Sequence, residues 1–133
     1  MKRIFTLVLL VCALAIAGSA QMYSTQIGNY TYYNNPATGL TGTATTIGPY
    51  TYYNWSNGAS ATQNTIGPYT YTDYNNGLTS TSNQIGAWTY YNMPNGVTGT
   101  SHPIGQYNYY NFSNGLSGYS YPIGSYTYWN WTN

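Results

Sequence analysis

Charged side chains are nearly absent from this chain. Its 133 residues include two Lys or Arg, one Asp or Glu and one His. Enzymes need acid–base or nucleophilic groups with tuned pKa values, and Asp73 and His102, far apart in the sequence, are a poor supply of them. We interpret Asp73 as a polar residue near a turn and His102 as an exposed strand residue. The composition therefore predicts that the protein is not an enzyme.

The same shortage excludes several classes of ligand. Lys2, Arg3 and the single Cys12 stand at the start of the chain, and the rest contains no Lys, Arg or Cys. Metal sites need clusters of His, Cys, Asp or Glu, nucleic acid needs Lys or Arg to meet its phosphates, and a disulfide needs two cysteines. We expect no metal, no other cofactor, no nucleic-acid partner and no disulfide.

The first residues are typical of a secretory signal peptide. Lys2 and Arg3 precede an uncharged run over residues 4–17, and small residues follow up to Ala20. The run is short for a membrane span. We predict a signal peptide over residues 1–20, cleaved before Gln21, and a single repeat domain over residues 21–133. The mature protein would be extracellular or at the cell surface, with no membrane association after cleavage.

Aromatic side chains, in contrast, are abundant, with 19 Tyr and 4 Trp. They recur at a fixed interval, because an Ile-Gly pair begins a repeat at 27, 47, 66, 85, 104 and 123, and the last repeat is truncated. The period is 20 residues once and 19 thereafter. Such a period indicates a repeat architecture in which each unit contacts mainly its neighbours. Repeat positions are numbered below from the Ile as position 0.

Each repeat is typical of a β-hairpin. Positions 3 to 6 hold mostly Tyr, Trp and Thr, which favour strands. Four repeats then place Asn-Gly at positions 10 and 11, which is a strong signal for a two-residue type I′ turn. A second, weaker strand of small polar residues follows. The predicted fold class is all-β, with tandem 19-residue β-hairpin repeats that form a β-solenoid or an extended antiparallel meander.

Strand alternation separates two faces of the repeat. Positions 0, 4, 6 and 8 hold Ile and the most apolar aromatic residues, so we predict that this face forms the core. Positions 3, 5 and 7 would then form the other face, where positions 3 and 5 carry a ladder of paired aromatic rings that serves assembly or ligand stacking. The predicted ladder is Tyr30, Tyr32, Tyr50, Tyr52, Tyr69, Tyr71, Trp88, Tyr90, Tyr107, Tyr109, Tyr126 and Tyr128.

Three families share features of these repeats. The segment Tyr69–Thr79, with Tyr-Thr-Tyr followed by Asn-Gly-Leu-Thr, resembles the tyrosine–aspartate repeats of bacterial Rhs-type shell proteins. The segment Gly105–Gly115 resembles the choline-binding, cell-wall-binding repeat, although that family has Trp at several of these places. The Ile-Gly-Asn…Tyr-Tyr pattern is similar to short repeats of small exported bacterial proteins. All three resemblances imply hairpin repeats, and the second implies aromatic ligand cages.

Two functions from different classes fit this pattern. The first is a secreted structural protein, a fibre or surface-layer subunit that assembles with itself. Residues 21–26 look like a second strand without its first, and residues 123–133 are a first strand without its second, so head-to-tail strand pairing would join copies. The alternative is a glycan- or cell-wall-binding module that uses the aromatic ladder. Ice binding by Thr rows ranks last, because bulky Tyr flanks each Thr.

Four Asn-x-Ser/Thr sequons are also present. If the secreted chain meets the appropriate transferase, glycans on these residues would add solubility to a nearly uncharged surface. The alternative is that Asn, Ser and Thr are simply abundant in the repeats. The candidate glycosylation sites are Asn29, Asn54, Asn111 and Asn130.

Overall fold

Hairpins follow one another along the chain. The computed structural model describes residues 20–132, and within them it has twelve β-strands and one short 3₁₀ turn at Pro94–Gly96. The predicted signal peptide lies outside the described residues, except for Ala20. The strands are Ala20–Ile27 (β1), Tyr30–Asn35 (β2), Leu40–Ile47 (β3), Tyr50–Trp55 (β4), Ser60–Ile66 (β5), Tyr69–Tyr74 (β6), Thr79–Ile85 (β7), Trp88–Asn92 (β8), Thr98–Ile104 (β9), Tyr107–Phe112 (β10), Ser117–Ile123 (β11) and Tyr126–Thr132 (β12).

The sheet closes into a barrel in which each strand pairs with its sequence neighbours and β1 pairs with β12. This closing pair is antiparallel and runs from Ala20 opposite Trp131 to Thr25 opposite Tyr126. The all-β, hairpin-repeat part of our prediction is confirmed. The β-solenoid and the extended meander are wrong, because accumulated strand twist brings the last strand back to the first and removes both open edges.

The closing pair joins the two segments from which we predicted head-to-tail assembly. β1 is the second strand that lacks a first, and β12 is the first strand that lacks a second. In the structure these complementary strands belong to the same chain, so each has a neighbour on both sides. Strand pairing between chains would therefore require the barrel to open.

The Ile-Gly pairs lie at one end of the barrel, where they form two-residue turns. Ile47 and Tyr50 are register partners, so Gly48 and Pro49 alone connect β3 to β4. Gly48 has φ +60°, while Pro49 is held near φ −65° by its ring, and this combination defines a type II′ turn. The turn puts Ile47 on the outer face beside Tyr50, where it is 65% exposed.

All six Ile residues of the repeats are exposed in this way. Our prediction that they belong to the core is wrong, because side-chain alternation was counted along a continuous strand. A two-residue turn instead makes the Ile at position 0 and the aromatic residue at position 3 directly opposite partners, and opposite partners share a face.

The Asn-Gly pairs form the hairpin tips at the other end, but the loops have three residues rather than two. The amide of Gly58 donates to the carbonyl of Trp55 at 3.0 Å, and the amide of Trp55 donates to the carbonyl of Ala59 at 2.9 Å. Gly58 has φ +89°, as in a type I turn followed by a left-handed residue. The Asn57 side chain accepts from the Ala59 amide at 3.0 Å. The Asn-Gly pairs thus mark the hairpin tips as predicted, but the two-residue type I′ turn is wrong: Gly supplies the positive φ, and Asn contributes through its side chain.

The barrel interior is filled by positions 6 and 8, as predicted. Position 6 is buried in every repeat, from Tyr33 to Trp129, and Trp55, Phe112 and Trp131 at position 8 pack beside it. Burial of one such side chain is worth about 1.5–3 kcal/mol. The ring of Tyr33 lies 5.2 Å from that of Trp55, between centroids. The core is therefore a set of interleaved aromatic rings.

Small residues on the second strands leave room for those rings. Gly42 is the register partner of Trp55, Gly99 of Phe112 and Gly118 of Trp131. Where position 8 is the smaller Tyr74, its partner is Ala61. In these four pairs a large residue faces a small one, so the aromatic rings pack without steric clash.

Buried tyrosine hydroxyls form hydrogen bonds with polar side chains ten positions further along the chain. Tyr91 pairs with Ser101 at 2.9 Å and Tyr110 with Ser120 at 3.3 Å. Tyr53 donates to Gln63 at 3.0 Å. Desolvation by burial raises the pKa of Tyr110 to about 12 and raises that of Tyr91 further above its usual range, since a phenolate would be poorly solvated there.

Candidate functional site

The predicted aromatic ladder lies on the outer wall of the barrel. Within a strand, the rings at positions 3 and 5 stand side by side, with centroids 6.1–6.4 Å apart in the five Tyr-x-Tyr pairs. Position 3 is 41–48% exposed in all six repeats. These rings therefore present one face or edge to solvent on every second strand.

Neutral polar residues lie beside the rings on the same wall. Position 7 points outward and is Asn in five repeats and Asp73 in the third. The second strands add Thr, Ser and Asn side chains, such as Thr43 opposite Tyr32 and Asn64 opposite Tyr71. The wall therefore combines flat rings with hydroxyl and carboxamide groups.

One shallow groove of about 460 Å³ crosses the wall from β12 to β4. Three outer-wall tyrosines border it, Tyr23, Tyr32 and Tyr126, and the buried core residues Tyr33 and Trp55 also contribute to its lining. The carboxamides of Asn34 and Asn54 lie in the same groove, and Nδ2 of Asn34 donates to the Tyr23 hydroxyl at 2.8 Å. The hydroxyl-bearing lining residues are Thr25, Thr41, Thr43 and Ser56. We call this groove one.

A second groove of about 440 Å³ lies over β10, β11 and β12 and reaches Gln21 of β1. Its outer-wall rings are those of Tyr109 and Tyr119, whose centroids are 6.2 Å apart, and the buried Tyr110 and Trp131 also contribute to its lining. Asn111 and Asn130 supply carboxamides, as Asn34 and Asn54 do in groove one. We call this groove two. The two grooves repeat the same chemistry in different parts of the wall.

Three of the four sequons fall in these grooves. Asn54 lines groove one, while Asn111 and Asn130 line groove two. Asn29 instead occupies the exposed turn between β1 and β2. Glycosylation at these residues stays a prediction, and a glycan on Asn54, Asn111 or Asn130 would fill the groove that the residue lines.

The two titratable residues singled out in the sequence lie apart on the outer wall. Asp73 is exposed and accepts a hydrogen bond from Thr79 Oγ1 at 2.8 Å. The half-buried ring of His102 stacks on Trp88, with centroids 4.1 Å apart and planes 25° apart.

Among residues 20–132, no cluster of three or more His, Cys, Asp or Glu is placed to hold a metal ion. Nor does this part of the chain contain a helix long and apolar enough to cross a membrane.

Sequence reasoning missed Tyr23, Tyr119 and Tyr121 as surface residues. All three lie on second strands, where the other repeats have Thr, Asn or His. Tyr121 pairs with Tyr128, and Tyr119 pairs with Tyr109. These tyrosines lie directly opposite outward-facing ladder residues, so they face outward too. This register can be derived only when the lengths of both hairpin loops are known.

No protein-family description, no curated protein and no solved structure matches this chain.

Proposed function

We propose that the protein is a secreted, surface-exposed β-barrel that binds neutral glycans on its outer wall. The observation that carries this proposal is groove one. It brings three outer-wall tyrosine rings together with two carboxamides and four Thr or Ser hydroxyls, and none of its lining residues is Asp, Glu, Lys, Arg or His.

The chemistry of the groove suits a sugar. The C–H face of a pyranose is apolar and stacks on an aromatic ring, while its hydroxyls need neutral donors and acceptors at the ring edges. Asn offers both a donor and an acceptor, and Thr and Ser hydroxyls do the same. A charged ligand would find no counter-charge here, which favours neutral hexose polymers over anionic ones.

The closed barrel favours this function over the fibre. Head-to-tail assembly depended on unpaired strands, whereas β1 and β12 pair with each other. The exposed rings, in contrast, are available on the closed form. Assembly with itself stays a prediction, and a full-length protein that remains monomeric at high concentration would contradict it.

Binding to neutral polysaccharides tests the proposal. The mature protein would be mixed with insoluble β-1,4-glucan, chitin and mannan, and with an anionic polysaccharide for comparison. We expect retention on at least one neutral polymer, little dependence on salt, and about tenfold weaker binding for Tyr32→Ala, which corresponds to ~1.4 kcal/mol.

Tyr71→Ala is the matched control, because Tyr71 is a position-5 tyrosine on β6 that lines neither groove. The proposal fails if the wild type is retained on none of the neutral polymers. It also fails if Tyr32→Ala and Tyr71→Ala weaken binding equally, since that would indicate nonspecific adhesion of exposed tyrosine.

A further inference from the structure

The outer rings are not evenly distributed around the barrel. From β8 through β12 to β1, ring follows ring without interruption. Successive centroid distances are 4.1 Å for Trp88–His102, 6.0 Å for His102–Tyr109, 6.2 Å for Tyr109–Tyr119, 6.1 Å for Tyr119–Tyr121, 5.8 Å for Tyr121–Tyr128 and 6.2 Å for Tyr128–Tyr23. We call these seven side chains the aromatic track.

The rest of the wall has a different arrangement. There the second strands β3, β5 and β7 carry Thr and Asn at the outward positions that Tyr119 and Tyr121 occupy on β11. The equivalent residues are Thr43, Thr45, Thr62, Asn64, Thr81 and Asn83. Tyrosine pairs on β2, β4 and β6 are therefore separated by strands without rings, and the track depends on the His of β9 and the extra tyrosines of β11 and β1.

The track connects the two grooves. Tyr109 and Tyr119 border groove two, and Tyr23 borders groove one. Between them lies a small cavity of about 110 Å³, lined among others by Tyr121, Tyr128 and Tyr23. The path crosses the pair of strands that closes the barrel, where Tyr23 is the register partner of Tyr128.

We infer that the track and both grooves form one extended site for a linear neutral polysaccharide, with several consecutive sugars stacked on consecutive rings. This inference rests on the proposed function and adds the ligand class, a chain rather than a single sugar or a short branch. The track contains no Asp, Glu, Lys or Arg, and Asp73 lies on β6 outside it. A neutral chain therefore matches its lack of charge.

A site of this kind makes affinity depend on ligand length. A disaccharide can occupy one groove, whereas a hexasaccharide gains further ring contacts along the track. Because both grooves lie on the wall of one closed barrel, the added contacts require no second association step. Removal of a ring between the grooves should reduce affinity for long oligosaccharides and leave that for a disaccharide in groove one unchanged.

Tyr121→Asn tests this directly. Tyr121 lines neither groove, and Asn stands at the equivalent position on β5 and β7, so the fold already accepts that residue there. The probes are oligosaccharides of β-1,4-glucan, from disaccharide to hexasaccharide, or the corresponding series from whichever neutral polymer retains the wild type. Calorimetry gives each affinity, and thermal unfolding verifies the fold. Tyr71→Asn is the control, because Tyr71 is equally half-buried but lies outside the track.

We expect the wild type and Tyr71→Asn to bind the hexasaccharide at least tenfold more tightly than the disaccharide. Tyr121→Asn should bind the disaccharide normally and lose most of that gain. The inference is overturned if Tyr121→Asn retains the gain, if Tyr71→Asn loses it equally, or if the wild type binds both lengths alike. If the wild type binds both lengths alike, the extended site is refuted but the proposed glycan binding is not. A wild type that binds no neutral sugar refutes both.

Discussion

Replacement of Gly42 by Ala should destabilise the barrel, because its partner ring occupies the space that a side chain would need. Gly42 and Trp55 are register partners on β3 and β4. A Cβ atom at Gly42 would lie 1.9 and 2.1 Å from two ring carbons of Trp55. Carbon atoms normally approach to about 3.5–4.0 Å. Trp55 is only 7% exposed, so the ring has little room to move.

The expected magnitude follows from two opposed effects. Forcing extra volume into a packed core costs about 1–3 kcal/mol. Ala in place of Gly restricts the unfolded chain, which returns about 0.4–1 kcal/mol where the backbone conformation suits both residues. Gly42 lacks a positive φ, so this second effect applies. Because the Cβ would lie only 1.9 Å from a ring carbon, the packing cost should be at the upper end of its range, so the net loss in free energy of unfolding should be about 2–2.6 kcal/mol.

A second substitution should restore stability. Tyr opposite Ala already occurs in this barrel as Tyr74 opposite Ala61. Gly42→Ala combined with Trp55→Tyr recreates that pair, so the double variant should be more stable than the sum of the two single changes implies. The coupling should lie within the range of about 0.5–3 kcal/mol seen for residues in contact.

Urea unfolding of the four proteins measures this double-mutant cycle. Gly77→Ala is the control: its φ is +86° and no atom lies within 4 Å of its would-be Cβ, so its cost comes from the backbone alone. Trp55→Tyr should not relieve the cost of Gly77→Ala. The packing argument is refuted if Gly42→Ala is as stable as the wild type, or if Trp55→Tyr makes Gly42→Ala worse.

Two further predictions concern the buried tyrosines and the closing strand. Burial raises the pKa of Tyr110 to about 12, from 10.0. Stability should therefore be complete below about pH 10 and fall as pH rises through the folded-state pKa, by up to ~1.4 kcal/mol per unit. In a pH titration, absorbance measures phenolate formation and circular dichroism measures unfolding. Tyr110→Phe should unfold at a higher pH than the wild type, and unfolding of both proteins at the same pH would contradict this. Deletion of residues 123–133 should expose the edges of β1 and β11 and produce aggregation or unfolding; a soluble, folded monomer in light scattering would show that closure is dispensable.

Much of the repeat could be derived from the sequence alone. The period, the strand at positions 3 to 6 and the glycine at the hairpin tip are local features, fixed by side-chain propensity and by the need for a positive φ at Gly58 and its equivalents. Alternation along one strand also separated the buried Tyr53 from the outward Tyr52 correctly. These features depend on residues that are close together in the chain, so they can be predicted without knowledge of the fold.

The tertiary structure decided three other matters. Closure of the barrel depends on the twist and stagger accumulated over twelve strands, which no single repeat encodes. The exposure of Ile47 depends on the turn that reverses the chain after it, because the turn makes Tyr50 its partner on the outer face. The aromatic track depends on closure and register together: Tyr23 and Tyr128 are far apart in the sequence, and they become neighbours only because β1 returns to pair with β12.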